Sequence, residues 1–157
     1  MKKRIMVLDD DEQIRQSLHK VLRAEDYEVV LAAEGAEALA QLERHSVDLL
    51  LLDLNLPNKS GWDVFERVSS LDPLLPIIII TGRENQSTLA MAAGVGALMQ
   101  KPLDVSRLLK TMSELLGETP QTRLKRLAGV EQSTRCFRPA STVDAVPKSF
   151  RRARRAS

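Results

Sequence analysis

Apolar and polar positions alternate between two rhythms over most of this chain. Arg4–Leu8 (RIMVL) is a short apolar run ending in acids, and Ile14, Leu18, Val21 and Leu22 then recur at the spacing of one helix face. Glu28–Ala33 (EVVLAA) predicts a second strand. Glu34–Arg44 predicts a helix with Ala38, Leu39 and Leu42 inward. Val47–Leu52 (VDLLLL) is apolar almost throughout, as expected of a strand covered on both faces. Asn55–Gly61 (NLPNKSG) has loop composition, and Val64, Phe65 and Val68 mark a third helix. Pro76–Ile80 (PIIII) predicts a β-branched strand, Glu84–Ala93 a weaker helix ended by Gly94, and Ala97–Gln100 a fifth strand. Asp104 is placed to cap a last helix, with Val105, Leu108, Leu109, Met112, Leu115 and Leu116 as its inward stripe.

Alternation of five strands with five helices predicts an α/β fold with a doubly wound, five-stranded parallel sheet and helices on both faces. In such sheets the ligand site lies beyond the carboxyl ends of the strands. That rule gathers Asp9, Asp10, Asp53, Thr81 and Lys101 on one rim. Asp10 and Asp53 are hard oxygen ligands suited to Mg²⁺. Gathered carboxylates repel one another, so without a cation some would stay protonated. With Mg²⁺ and Lys101 beside it, Asp53 can stay ionised and act as a nucleophile toward phosphorus. Phosphoryl transfer needs charge neutralised on the equatorial oxygens, which Lys101 and the cation supply, and the Thr81 hydroxyl can donate a further hydrogen bond. Asp11 reads as the cap of the first helix.

Composition changes this picture only at the far end. Hydrophobic residues make up 43% and charged residues 28% of the 157, ordinary for a globular protein, whereas aromatics at 3% make the core aliphatic. The single cysteine, Cys136, excludes an intrachain disulfide and fits a reducing, cytoplasmic setting. No window suggests a secretory signal or a membrane span, so no membrane partner is expected. The net charge of +2 hides a split: Glu118–Ser157 carries ten basic and three acidic residues. Residues 1–117 carry 13 basic and 18 acidic ones. The chain therefore divides into a body, 1–117, and a basic tail, 118–157. Gln121–Val130 is a possible helical extension through Leu124 and Leu127. The remainder has no period and is expected to be disordered and too short for an output domain. Truncation after Gly117 is accordingly expected to leave stability nearly unchanged. His19 and His45 read as solvated, and Trp62 as helix packing.

The segments VLDDDE (7–12), LLLLDLNLPNKSG (49–61), IIIITG (77–82) and QKPL (100–103), in that order, resemble the receiver domain of two-component response regulators. The resemblance implies a flavodoxin-like fold with strand order 2-1-3-4-5. It implies that Asp53 is the phospho-acceptor, that Asp10 binds Mg²⁺ directly and that Asp9 acts mainly through water. It further implies that Asn55 lends a backbone carbonyl to the metal, that Thr81 is a switch hydroxyl and that Lys101 pairs with the phosphate. Pro57 and Gly61 match the loop after the acceptor, and Pro102 a proline preceded by a cis peptide. Leu98 departs from the family's usual Tyr or Phe, and Leu103 from a frequent aromatic. That departure implies a readout through residues 82–93 rather than through a ring at position 98.

The function so implied is a response regulator in a two-component or phosphorelay pathway. It accepts a phosphoryl group from a sensor histidine kinase or a histidine phosphotransfer protein, and the switch alters binding to a downstream protein. It would not be an enzyme beyond its own phosphorylation and dephosphorylation. Two rival readings exist. One is a phosphatase of the haloacid dehalogenase type, with Asp9 and Asp11 as its D-x-D pair; the other is a nucleic-acid regulator acting through the basic tail.

Overall fold

A computed structural model describes residues 2–56, 60–82, 94–129 and 135–139. In chain order the described elements are β1 (Arg4–Leu8), α1 (Glu12–Ala24), β2 (Glu28–Ala32), α2 (Gly35–Arg44), β3 (Leu49–Asp53), α3 (Gly61–Leu71), β4 (Ile77–Thr81), β5 (Ala97–Gln100), α4 (Val105–Leu116), α5 (Pro120–Leu127) and β6 (Arg135–Phe137). The helix expected at Glu84–Ala93, and the tail from 140 onward, lie outside the described residues.

All strand pairs are parallel, and the order is β2-β1-β3-β4-β5-β6. The flavodoxin-like order 2-1-3-4-5 is therefore present, but the sheet has six strands rather than five. The sixth, β6, comes from the segment expected to be disordered and joins the outer edge of β5, with Leu98 opposite Cys136.

Side-chain alternation along the strands divides the core into two layers. Met6, Leu8, Leu50, Leu52, Ile77 and Ile79 point to the side covered by α2 and α3, where they meet Ala38, Val64, Phe65 and Val68. Ile5, Val7, Leu49, Leu51, Ile78 and Ile80 point the other way, against Leu18 and Leu22 of α1 and Leu108, Met112 and Leu115 of α4. Every residue of β3 and β4 is buried, which explains the unbroken LLLL and IIII runs.

The caps follow from sequence. Asp11 accepts from the Gln13 and Ile14 amides, Ser60 from Trp62, and Asp104 from Arg107. One detail of the expected α4 stripe fails. Val105, in the first turn, is 40% exposed, while Thr111 is buried because its hydroxyl donates to the Arg107 carbonyl at 2.8 Å. Trp62 packs edge-on against Phe65, with ring centroids 5.6 Å apart. His45 is exposed and His19 partly so.

Candidate functional site

The register of the sheet brings the rim residues together. Leu8 lies opposite Leu52, so Asp9 and Asp53 emerge side by side from neighbouring strands. Asp53 lies opposite Ile80, and Thr81 opposite Gln100, which places Thr81 and Lys101 at the same end. The Lys101 amide donates to the Thr81 carbonyl at 2.8 Å and fastens the two strand ends. The Lys101–Pro102 peptide is cis, as the resemblance implies.

Asp53 is only 1% exposed. Its Oδ1 accepts the Asn55 amide at 3.0 Å, an Asx-type turn that starts the following loop. Its Oδ2 lies 3.3 Å from Lys101 Nζ. The same ammonium lies 3.2 Å from Asp9 Oδ2. Asp9, also buried, accepts the Asp11 amide on Oδ1 at 2.9 Å, and its carbonyl accepts from Arg15 Nη1 at 2.8 Å. Arg15 is a supporting residue that no sequence motif marks. Thr81 is fully buried and Asp10 is exposed.

The loop after Asp53 is held close by Gly61. A Cβ there would stand 2.4 Å from Leu54 Cα and 2.8 Å from the Asp53 carbonyl oxygen, so only glycine lets the start of α3 approach Asp53. Pro57 lies outside the described residues. Gly82 stands beside Asn55, with its Cβ position 3.8 Å from Asn55 Nδ2.

Three carboxylates against one ammonium leave the rim negative. Burial pushes the Asp53 carboxyl up to about 6, and the Asp9 charge adds to that, against the pull of the Asn55 amide and Lys101. Burial also works against the Lys101 charge, but Asp53 and Asp9 outweigh it and hold the ammonium above its ordinary value. Oxygens of Asp9, Asp10 and Asp53 all lie within 4.8 Å of one another. Asp9 Oδ2 is buried with no hydrogen-bond donor placed on it; its one partner is the ionic contact to Lys101. A buried carboxylate oxygen that shares one ammonium with a neighbouring acid fits a hard divalent cation. The structure thus brings together every predicted site residue: Asp9, Asp10, Asp53, Asn55, Thr81 and Lys101.

This chain belongs to the response regulator receiver domain family, which it matches over residues 5–113. It is 36% identical over 121 residues to the response regulator MprA of Mycobacterium bovis, covering 76% of this chain and 53% of that protein. It is 36% identical over 120 residues to the transcriptional regulatory protein ZraR of Salmonella typhimurium, covering 75% of this chain and 27% of that one. The chain therefore spans about half the length of the first of these relatives and about a quarter of the second. Among solved structures, a CheY-like receiver domain from Methanospirillum hungatei superposes with a TM-score of 0.71 at 33% identity, covering 80% of this chain and 98% of the other. The regulator TrrA of Thermotoga maritima, solved with Mg²⁺ and beryllofluoride, superposes with a TM-score of 0.67 at 28% identity, covering 72% and 98%. Among the described residues, no helix is long and apolar enough to cross a membrane.

Proposed function

We propose that the chain accepts a phosphoryl group on Asp53 from a phosphohistidine of a sensor kinase or histidine phosphotransfer protein, and that the phosphorylated rim alters binding to a downstream protein in the cytoplasm. The carrying observation is the buried Asp53 carboxylate with Lys101 Nζ 3.3 Å from one oxygen and the acids Asp9 and Asp10 beside it. A carboxylate oxygen of Asp53 attacks phosphorus as the bond from phosphorus to the donor imidazole nitrogen breaks; the imidazole leaves with the electron pair. Asp9, Asp10, Asp53 and the Asn55 carbonyl are the residues that would hold Mg²⁺, which supplies charge neutralisation when bound. The TrrA complex with Mg²⁺ and a phosphoryl mimic supports that assignment by likeness. Lys101 turns its ammonium from the two carboxylates to the phosphoryl oxygens, and Thr81 offers its hydroxyl from the end of β4. The functional unit is residues 1–117. Its catalysis is confined to phosphorylating and dephosphorylating itself.

The hydrolase reading loses its acid. Asp11, the second carboxylate of that D-x-D pair, is committed to two amides of α1. Of the basic tail, Arg151, Arg152, Arg154 and Arg155 lie outside the described residues.

The test is incubation with Mg²⁺ and acetyl phosphate, read by intact mass. The wild type should gain one phosphoryl group and Asp53→Asn none. Labelling of the variant to the wild-type level would sink the assignment.

A further inference from the structure

We infer that residues 118–129 and 135–137 form a releasable cap on the edge of β5, docked in the unphosphorylated protein and loosened when a phosphoryl group occupies the Asp53 site. The inference rests on the phospho-acceptor reading above and adds to it an output element within this chain.

The cap is bound in an unusual way. On α5, Leu124 and Leu127 are 54% and 40% exposed, while Arg126 is 5% exposed. The helix thus buries Arg126 most deeply and leaves Leu124 largely exposed, the reverse of an ordinary amphipathic helix. Arg126 Nη1 pairs with Glu118 Oε1 at 2.8 Å. Arg123 reaches the Leu115 carbonyl at 3.2 Å and the Leu74 carbonyl at 3.4 Å. Several buried atoms of this cluster have no hydrogen-bond partner: Glu118 Oε2, Arg123 Nε and Arg126 Nε. Desolvated charge with incomplete pairing stabilises weakly, because water would satisfy the same groups on release. β6 adds little more. It has three residues, with Arg107 stacked 5.2 Å from the Phe137 ring centroid and Arg135 paired with Glu114. Short edge strands with exposed ion pairs open at low free energy.

The cap also touches the parts of the body that the phosphoryl group must move. β5 lies between β4 and β6, so Leu98 is opposite Ile79 on one side and Cys136 on the other. β5 runs directly into Lys101, whose ammonium lies 3.3 Å from Asp53 Oδ2. A phosphoryl group on that carboxylate needs the space between them. The Lys101 ammonium must turn to the phosphoryl oxygens, and its amide, bonded to the Thr81 carbonyl, ties the end of β5 to that rim. At the other end of β5, Gly94 has φ +71, and a Cβ there would stand 3.1 Å from Leu127 Cα. Gly94 therefore leaves no room for a side chain between itself and Leu127, and the backbone leading into β5 lies close along the end of α5. Leu98, small and 2% exposed, cannot swing out as an aromatic ring would, which leaves the strand itself to carry the change.

Amide exchange on the full chain tests this, with Mg²⁺ and beryllofluoride as the unreactive phosphoryl mimic. Exchange at 120–127 and 135–137 should quicken several-fold on adding the mimic, while Asn55 slows and Leu49–Leu52 does not change. A nitroxide on Cys136, the chain's one cysteine, should become more mobile. The Asp53→Asn variant should show neither effect. Slowing at Asn55 with the cap unchanged or better protected would overturn the cap and leave the acceptor intact. No response at either place would remove both. Arg126→Ala should loosen 120–127 and 135–137 without the mimic and leave β3 protected; unchanged exchange in that variant would also overturn the cap.

Discussion

The body and the segment that follows it obey opposite burial rules. In the body, leucine and isoleucine fill β3 and β4, and charge is admitted only at the rim, where Asp9, Asp53 and Lys101 meet. In residues 118–129, Arg126 goes in and Leu124 stays out. The body is held by area removed from water, about 25 cal/mol per Å² of apolar surface. The appended segment is held by polar contacts whose net worth is small. The difference assigns stability to one region and adjustability to the other, with the acidic rim as a third element in which burial disfavours the ionised Asp53.

The largest effect should come from the body. Leu50 is fully buried in the layer facing α2 and α3, and its replacement by alanine leaves a cavity that rigid neighbouring strands cannot close. Leu50→Ala should cost about 2–5 kcal/mol in denaturant unfolding. A loss no greater than that of an exposed substitution such as Leu124→Ala would break the comparison from the body's side.

The rim should behave in the opposite sense. The Asp53 carboxyl titrates at about 6 in the fold against 3.8 in the open chain. Between those values the folded protein holds the extra proton, so stability falls as pH rises from 4 through 6. The loss is complete above the folded value. Asp53→Asn should therefore stabilise the metal-free protein on the order of 1–3 kcal/mol at pH 7.5, with the gain shrinking toward pH 4. Thermal unfolding of both proteins across that range, without divalent cation, checks it. A variant less stable at pH 7.5 would show that the acids are not strained.

Cation binding sharpens the same point. Mg²⁺ at ten times its dissociation constant should stabilise the wild type by about 1.4 kcal/mol. Asp10→Asn removes one of three clustered carboxylates and should erase most of that shift, although Asp10 is exposed and contributes nothing to the core. Melting curves with and without Mg²⁺ would show it, and an unchanged shift would place the cation elsewhere.

How far the chain can be read in advance follows the same division. Parallel strands covered on both faces must be apolar at every position, so LLLL and IIII announce β3 and β4. The rim is legible because the carboxyl ends of such strands converge, which turns separated acids, a threonine and a lysine into one site. The edge strand β6 leaves no such trace. Main-chain pairing to β5 requires no side-chain pattern, and RCF has none. Arg126 is illegible for a different reason: its burial depends on Glu118 lying across from it, a tertiary fact that periodicity contradicts. One signal does exist for α5, because Thr119 caps it and Pro120 occupies its first turn. Val105 and Thr111 are exchanged relative to the expected stripe because a hydroxyl can be buried once it bonds to a backbone carbonyl one turn back.

The smallest effect should come from removing the appended segment. Truncation after Gly117 deletes Glu118, Arg123 and Arg126 together, so no charge is left stranded in the body. What the body loses is the pairing at the β5 edge and contacts from the half-buried Phe137. The buried Arg126–Glu118 pair adds little net because desolvation offsets its attraction, and the exposed Arg135–Glu114 pair contributes at most about 1 kcal/mol. For a chain of this length that is a fall of about 2–4 °C in melting temperature. Arg126→Ala gives the sharper version. It leaves Glu118 buried without its partner, which in a rigid interior costs about 3–5 kcal/mol. Here the segment can undock and return Glu118 to water, so the cost cannot exceed that of undocking. The point variant and the truncation should therefore lower the melting temperature by the same small amount. If Arg126→Ala destabilises the chain far more than truncation does, the segment cannot leave the body, and the contrast between a fixed core and an adjustable edge fails.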